Sequence, residues 1–229
     1  FIGLVALSLA GFQICRLIAS ALNTELNLWL KAGAGFFIAA ALLIQWLSYA
    51  PISLSSASLG AVFVSALVSL PLFQLTRRPE QAAISEPLQR KQLSAYLPYL
   101  LLITLIAAHL LLVLANNLTR DIYPWDAFTT WMYRAKVWVL NDEMLDFQGV
   151  NQWLQSGGVG YALPASHYPF SVSAVAAFSS ALSSGWTDQS ASIPWFFAML
   201  AIGSMIVGFC NQSGLATLPS LAGLYLLMS

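Results

Sequence analysis

The sequence predicts an all-α integral membrane protein with about seven transmembrane helices and one large external loop holding a juxtamembrane amphipathic helix. Three observations carry this. Hydrophobic residues make up 59% of the 229 positions and charged ones only 8%, against roughly 25% charged in soluble domains. Apolar runs recur at lengths near the about 20 residues that cross a bilayer as helix. The charge that exists is concentrated, with Arg120, Asp121, Asp126, Arg134, Lys136, Asp142, Glu143 and Asp146 all inside 116–166. The chain reads as one polytopic domain over 1–229, a fragment of a longer protein, with a cytoplasmic loop at 76–94 and an external loop at 116–166.

Taken in order, the expected spans are 2–22, 29–49, 57–75, 95–115, 167–184, 193–211 and 215–229. The first lacks the basic start of a signal peptide and is interrupted by Arg16, so it reads as a membrane helix. The fifth is diluted by Ser171, Ser173, Ser179, Ser180, Ser183 and Ser184. Small residues permit close helix packing in lipid, which predicts burial among neighbours. Orientation follows from Arg77, Arg78, Arg90 and Lys91 between the third and fourth spans. Short basic loops stay cytoplasmic, so 116–166 is expected on the opposite face. Arg16 is placed to snorkel and His109 to satisfy a neighbouring helix carbonyl. Cys15 and Cys210 lie in apolar surroundings and read as small hydrophobes. Zero net charge gives no reason to expect a nucleic-acid partner.

Within the loop, Pro124 ends any continuation of the fourth helix. Asp126 then stands at an N-cap position with Thr129 at N3, and a helix is expected from Ala127 to about Leu140. Phe128, Trp131, Ala135, Trp138 and Val139 share one face, with Arg134 and Lys136 off it. That pattern predicts a helix lying flat in the outer interface. Asp126 has two readings, a helix cap or a general base whose pKa partial desolvation would raise. The glycine-rich stretch 148–166 is expected to be irregular, an acceptor-binding loop or lid. His167 and Tyr168 stand where the fifth span begins, as a phosphate or sugar contact or as an interfacial anchor. No metal-ligand spacing, phosphate-cradling glycine loop or nucleophile elbow is present in the sequence. No cofactor is identified, and dependence on a divalent metal is left open.

Tyr123-Pro-Trp-Asp126-Ala-Phe-Thr-Thr-Trp131-Met-Tyr-Arg134-Ala-Lys136, followed by His167-Tyr-Pro-Phe at a helix start, resembles bacterial GT-C-type membrane glycosyltransferases. These are polytopic enzymes of the dolichyl-phosphate-mannose-protein mannosyltransferase and aminoarabinose transferase kind. The resemblance covers about fifty residues, 121–170. It implies a multi-pass protein of the bacterial inner membrane that serves the cell envelope. It implies transfer of a hexosyl or pentosyl group from a polyprenyl-phosphate carrier to a glycan, lipid or protein acceptor. On it, Asp126 would be the base, and Arg134, Lys136 and His167 would contact the lipid phosphate. Trp125, Trp131 and Tyr168 would shape the sugar pocket, with Asp121 as a further acidic contact. In better-known members the acidic loop follows the first span, whereas three or more spans precede it here. Two alternatives stay open: an O-antigen polymerase or ligase, which relies on loop arginines, and a non-catalytic transporter or scaffold.

Overall fold

The computed structural model describes residues 1–50, 52–75, 96–122, 127–183, 185–215 and 217–228. It is mostly helical. Long helices α1 (Ile2–Ala21), α2 (Leu28–Tyr49), α3 (Leu54–Leu75), α4 (Leu97–Thr119) and α8 (Asp188–Gln212) build the bundle, with α9 (Thr217–Met228) beside α4 and α8. Among the described residues, α1, α2, α4 and α8 are long and apolar enough to cross a membrane. These four coincide with expected spans.

The span expected at 167–184 does not form at full length. Helix α7 (Ser171–Ala181) has 11 residues, about 16 Å at 1.5 Å per residue, where a hydrocarbon core needs about 30 Å. Pro169 precedes it, and the Ser183 hydroxyl donates to the Ser180 carbonyl at its end. Residues 173–180 are all buried, so the middle of the serine-rich segment is enclosed, as its small side chains predict. Conversely, the span expected to start at 193 begins five residues earlier. Thr187 and Ser190 form a reciprocal capping box, Ser190 N–H donating to Thr187 Oγ1 at 3.0 Å.

Close backbone packing holds the bundle. A side chain at Gly11 of α1 would strike the Gly35 backbone of α2, and one at Gly35 would lie 2.6 Å from the Phe12 nitrogen. Without a strong hydrophobic drive between helices in lipid, such contacts supply dispersion energy that larger residues would forfeit. Asn27 ties α2 to the far end of α8: its Oδ1 accepts from Leu30 N–H at 3.0 Å, and its Nδ2 donates to the Gly208 carbonyl at 2.6 Å. Arg16 stacks over the Phe12 ring of its own helix at 5.7 Å. Helix α4 differs from its neighbours, with no buried residue at all.

The segment between α4 and α7 covers the end of the bundle where α2 finishes and α3 and α8 begin. It contains a five-residue π turn (Ala127–Trp131), helix α5 (Met132–Asn141), strand β1 (Phe147–Gln148), helix α6 (Val150–Gln155) and strand β2 (Tyr161–Ala162). The glycine-rich stretch expected to be irregular is therefore a small strand-helix-strand unit. Phe147 pairs with Tyr161 and Gln148 with Ala162 in parallel. The turn between α6 and β2 requires positive φ at Gly157, Gly158 and Gly160, which glycine adopts without a Cβ penalty. The Trp153 indole closes it by donating to the Gly160 carbonyl at 3.1 Å.

Candidate functional site

Three residues past the end of α4, the Ile122 N–H donates to the Asp188 carboxylate at 3.1 Å, while the other carboxylate oxygen accepts from the Trp186 indole at 3.0 Å. Asp188 opens α8, where an acidic side chain also complements the helix dipole. Its two hydrogen bonds thus pin the chain just before 123–126. Trp125 and Asp126, and with them the expected base and cap, lie outside the described residues. The chain resumes in the π turn at Ala127, a geometry that recurs at functional sites, and runs through α5 to Asn141. The helix expected over 127–140 is present.

Its setting differs from the expected interfacial helix. Met132, Arg134, Ala135, Val137 and Trp138 are all buried, because α7 and the start of α3 pack over α5. Ser173 reinforces that contact by donating its hydroxyl to the Trp131 carbonyl at 2.8 Å. Arg134, expected on a solvated basic flank, is only 4% exposed. Its guanidinium donates to the carbonyls of Tyr168 at 3.0 Å and Ser166 at 3.1 Å, and lies 5.6 Å from the Phe147 ring centre. Burial pulls its pKa below the ordinary arginine value. Arg134 therefore clasps the turn carrying His167 and Tyr168 onto α5.

Arg134 and Lys136 are two residues apart, about 200° around a helix, and they line different cavities. Lys136 lines one of about 450 Å³ together with Ile122, Thr129, Met132, Tyr133 and Asp188. Its walls are largely apolar. Ile122 and Thr129 are notable there, because they bracket 123–128 in the chain. Arg134 lines a separate cavity of about 280 Å³ with Asp146, Phe147, Ser166, Tyr168 and Phe170.

The remaining expected residues divide between these places. Tyr168 stands 6.4 Å from the Trp131 ring and lines the Arg134 cavity. His167 is exposed and edge-on to Tyr168 at 4.9 Å. Asp121 is exposed beside Ile122. The expected phosphate contacts Arg134, Lys136 and His167 therefore do not converge on a single cavity. Among the described residues, no group of three or more His, Cys, Asp or Glu side chains is placed to hold a metal.

Two acidic residues beyond the expected set hold this end together. Asp188 is one; the Thr187-Asp-Gln-Ser190 cap pattern ahead of an apolar run was its readable signal. Asp142 is the other. It takes a left-handed conformation, φ 53°, at the end of α5, and its carboxylate accepts from Ser55 N–H at 2.6 Å and Ser55 Oγ at 2.9 Å. Desolvation alone would raise its pKa, but the Ser55 and Ser53 donors outweigh it and hold the carboxyl below its usual range. Asp142 thus caps α3 from 87 residues away. Nothing local in the sequence signals that contact.

Comparison with protein-family models, with curated proteins and with solved structures finds no match to this chain.

Proposed function

We propose that the chain is a membrane glycosyltransferase that takes a sugar from a polyprenyl-phosphate carrier at the external face, with Asp126 as base. The observation that carries the reading is the Lys136 cavity. It joins apolar walls to one lysine and to Asp188, whose two carboxylate oxygens already accept from Ile122 and Trp186, and it is lined by Ile122 and Thr129, which bracket the Asp126 segment in the sequence. That combination suits a phosphate attached to an isoprenoid chain. Lysine serves as a point charge for the phosphate, and the apolar lining suits the first carbons of the lipid. Negative charge grows on the phosphate as the glycosidic bond breaks, so a cation fixed there lowers the barrier. The acceptor hydroxyl would lose its proton to Asp126 as it attacks the anomeric carbon, inverting it. Asp188 is a positioning residue, holding the chain entering 123–126 through Ile122.

The external placement rests on charge. From Arg120 to Asp188 the sequence carries six acidic and three basic residues. The rest of the sequence carries six basic and three acidic residues, with Arg77, Arg78, Arg90 and Lys91 between α3 and α4. Basic loops stay in the cytoplasm, which supports an external α5.

The test is transfer of radiolabelled sugar from a polyprenyl-phosphate donor to endogenous acceptor in membranes expressing the full protein. Asp126→Asn is expected to lower turnover by about a hundredfold or more, at unchanged protein level. Full transfer by that variant would remove Asp126 from the mechanism and favour a loop-arginine enzyme.

A further inference from the structure

The Arg134 cavity is unexplained by a donor site on the other side of α5, and its chemistry is different. A guanidinium has five N–H donors, and Arg134 uses two of them on carbonyls. Its Nε is buried with no acceptor. No carboxylate among the described residues forms an ion pair with it, although Asp146 lines the same cavity. A cation this deeply buried carries a desolvation cost that two carbonyls and one ring offset only in part. An anion entering the cavity would supply the missing charge.

The walls specify more than charge. Tyr168 and Phe170 are partly exposed, at 46% and 38%, and line the cavity together with Phe147. Partly exposed aromatic rings at a cavity suit contact with the C–H faces of a sugar ring, while Asp146 and Ser166 offer groups for hydroxyls. At about 280 Å³ the space lies just under the usual range of ligand sites, the size of one ring rather than of a chain.

We infer that this cavity binds an anionic monosaccharide unit, a sugar acid or a sugar phosphate, with Arg134 as its counter-charge and Tyr168 and Phe170 as its walls. The site stands independently of the transfer reaction, because its binding is read without turnover. If transfer does occur, this cavity is where a charged acceptor would wait, separated from the donor by α5.

The test is thermal unfolding of the purified full chain in detergent with glucuronate, glucose 1-phosphate, inorganic phosphate and neutral glucose. Both anionic sugars are expected to raise Tm saturably, by about 5 °C at a hundredfold excess over Kd. Glucose should not. Inorganic phosphate should act more weakly than glucose 1-phosphate. Asp146→Asn removes the like charge from the cavity without touching the Arg134 clasp, and is expected to tighten Kd for both anionic sugars about threefold or more. Arg134→Lys should lose the response. Equal shifts with glucose and glucuronate, or a Kd that Asp146→Asn leaves unchanged, would overturn the site. A phosphate response equal to that of glucose 1-phosphate would overturn its sugar-sized character.

Discussion

The two basic residues of α5 began as equivalents and end as opposites. Lys136 is exposed at the side of a largely apolar cavity, and Arg134 is 4% exposed beneath a turn that it bonds by two carbonyls. The difference lies in what packs over each side of the helix. The turn at 166–168 and strand β1 cover the Arg134 side, while the Lys136 side faces the gap between the end of α4 and the start of α8. The same charge is therefore tied into a structural clasp in one place, with N–H groups to spare, and stands at the wall of an apolar cavity in the other. A fork with several fixed donors suits carbonyl clasping, and a flexible ammonium suits a moving phosphate.

The largest expected effect comes from breaking the clasp. Arg134→Met leaves the Ser166 and Tyr168 carbonyls without their charged donor, and hydrogen bonds to charged groups are worth about 1.5–3 kcal/mol each. A loss of about 3 kcal/mol in detergent unfolding is expected, together with faster proteolysis in 161–170. An unchanged Tm would mean that the turn is held by something other than Arg134. Lys136→Met sharpens the contrast from the other side. It should leave the unfolding free energy within about 0.5 kcal/mol of the parent while raising KM for the proposed polyprenyl-phosphate donor about tenfold or more, the loss of one phosphate contact. Equal damage to stability from both substitutions would erase the distinction between the two sides.

The smallest effect tests the cap that anchors the end of α5. Asp142→Ala should cost about 1 kcal/mol, typical of a lost helix cap, and Asp142→Asn less, because asparagine keeps an acceptor and tolerates the left-handed backbone. The carboxyl has a lowered pKa in the folded protein. Its contribution is thus complete above the ordinary aspartate value, about 3.9, and is lost as pH falls through the lower folded value. Unfolding followed below pH 4 should show this loss in the parent and not in Asp142→Asn. Parallel pH profiles for the two would rule out the carboxylate as the cap.

Legibility followed the range of the interactions. The spans at α1, α2, α4 and α8 were readable because hydropathy over twenty residues is a local sum. Helix α5 was readable from the 3.6-residue spacing of Trp131, Ala135 and Trp138. Its setting was not, because an amphipathic stripe states how much surface is apolar and not what covers the rest. The stretch 148–166 read as irregular because its glycines were counted as breakers, whereas three of them serve one turn that lets Phe147 meet Tyr161. The fifth span was misjudged by length, since a composition rich in alanine and serine is shared by a buried 11-residue helix and a diluted membrane helix.

By itself, the sequence determined that this is a helical protein of apolar runs whose charge is concentrated in two stretches, one of them an aromatic and charged segment between the fourth and fifth apolar runs. Those properties are sums and periods along the chain. Only the tertiary structure decided that Arg134 is a clasp and Lys136 lines a cavity, that Asp142 caps a helix 87 residues away, and that Asp188 holds the approach to 123–126. Each of those depends on which backbone groups from distant segments arrive within hydrogen-bond reach, and no local pattern encodes that distance.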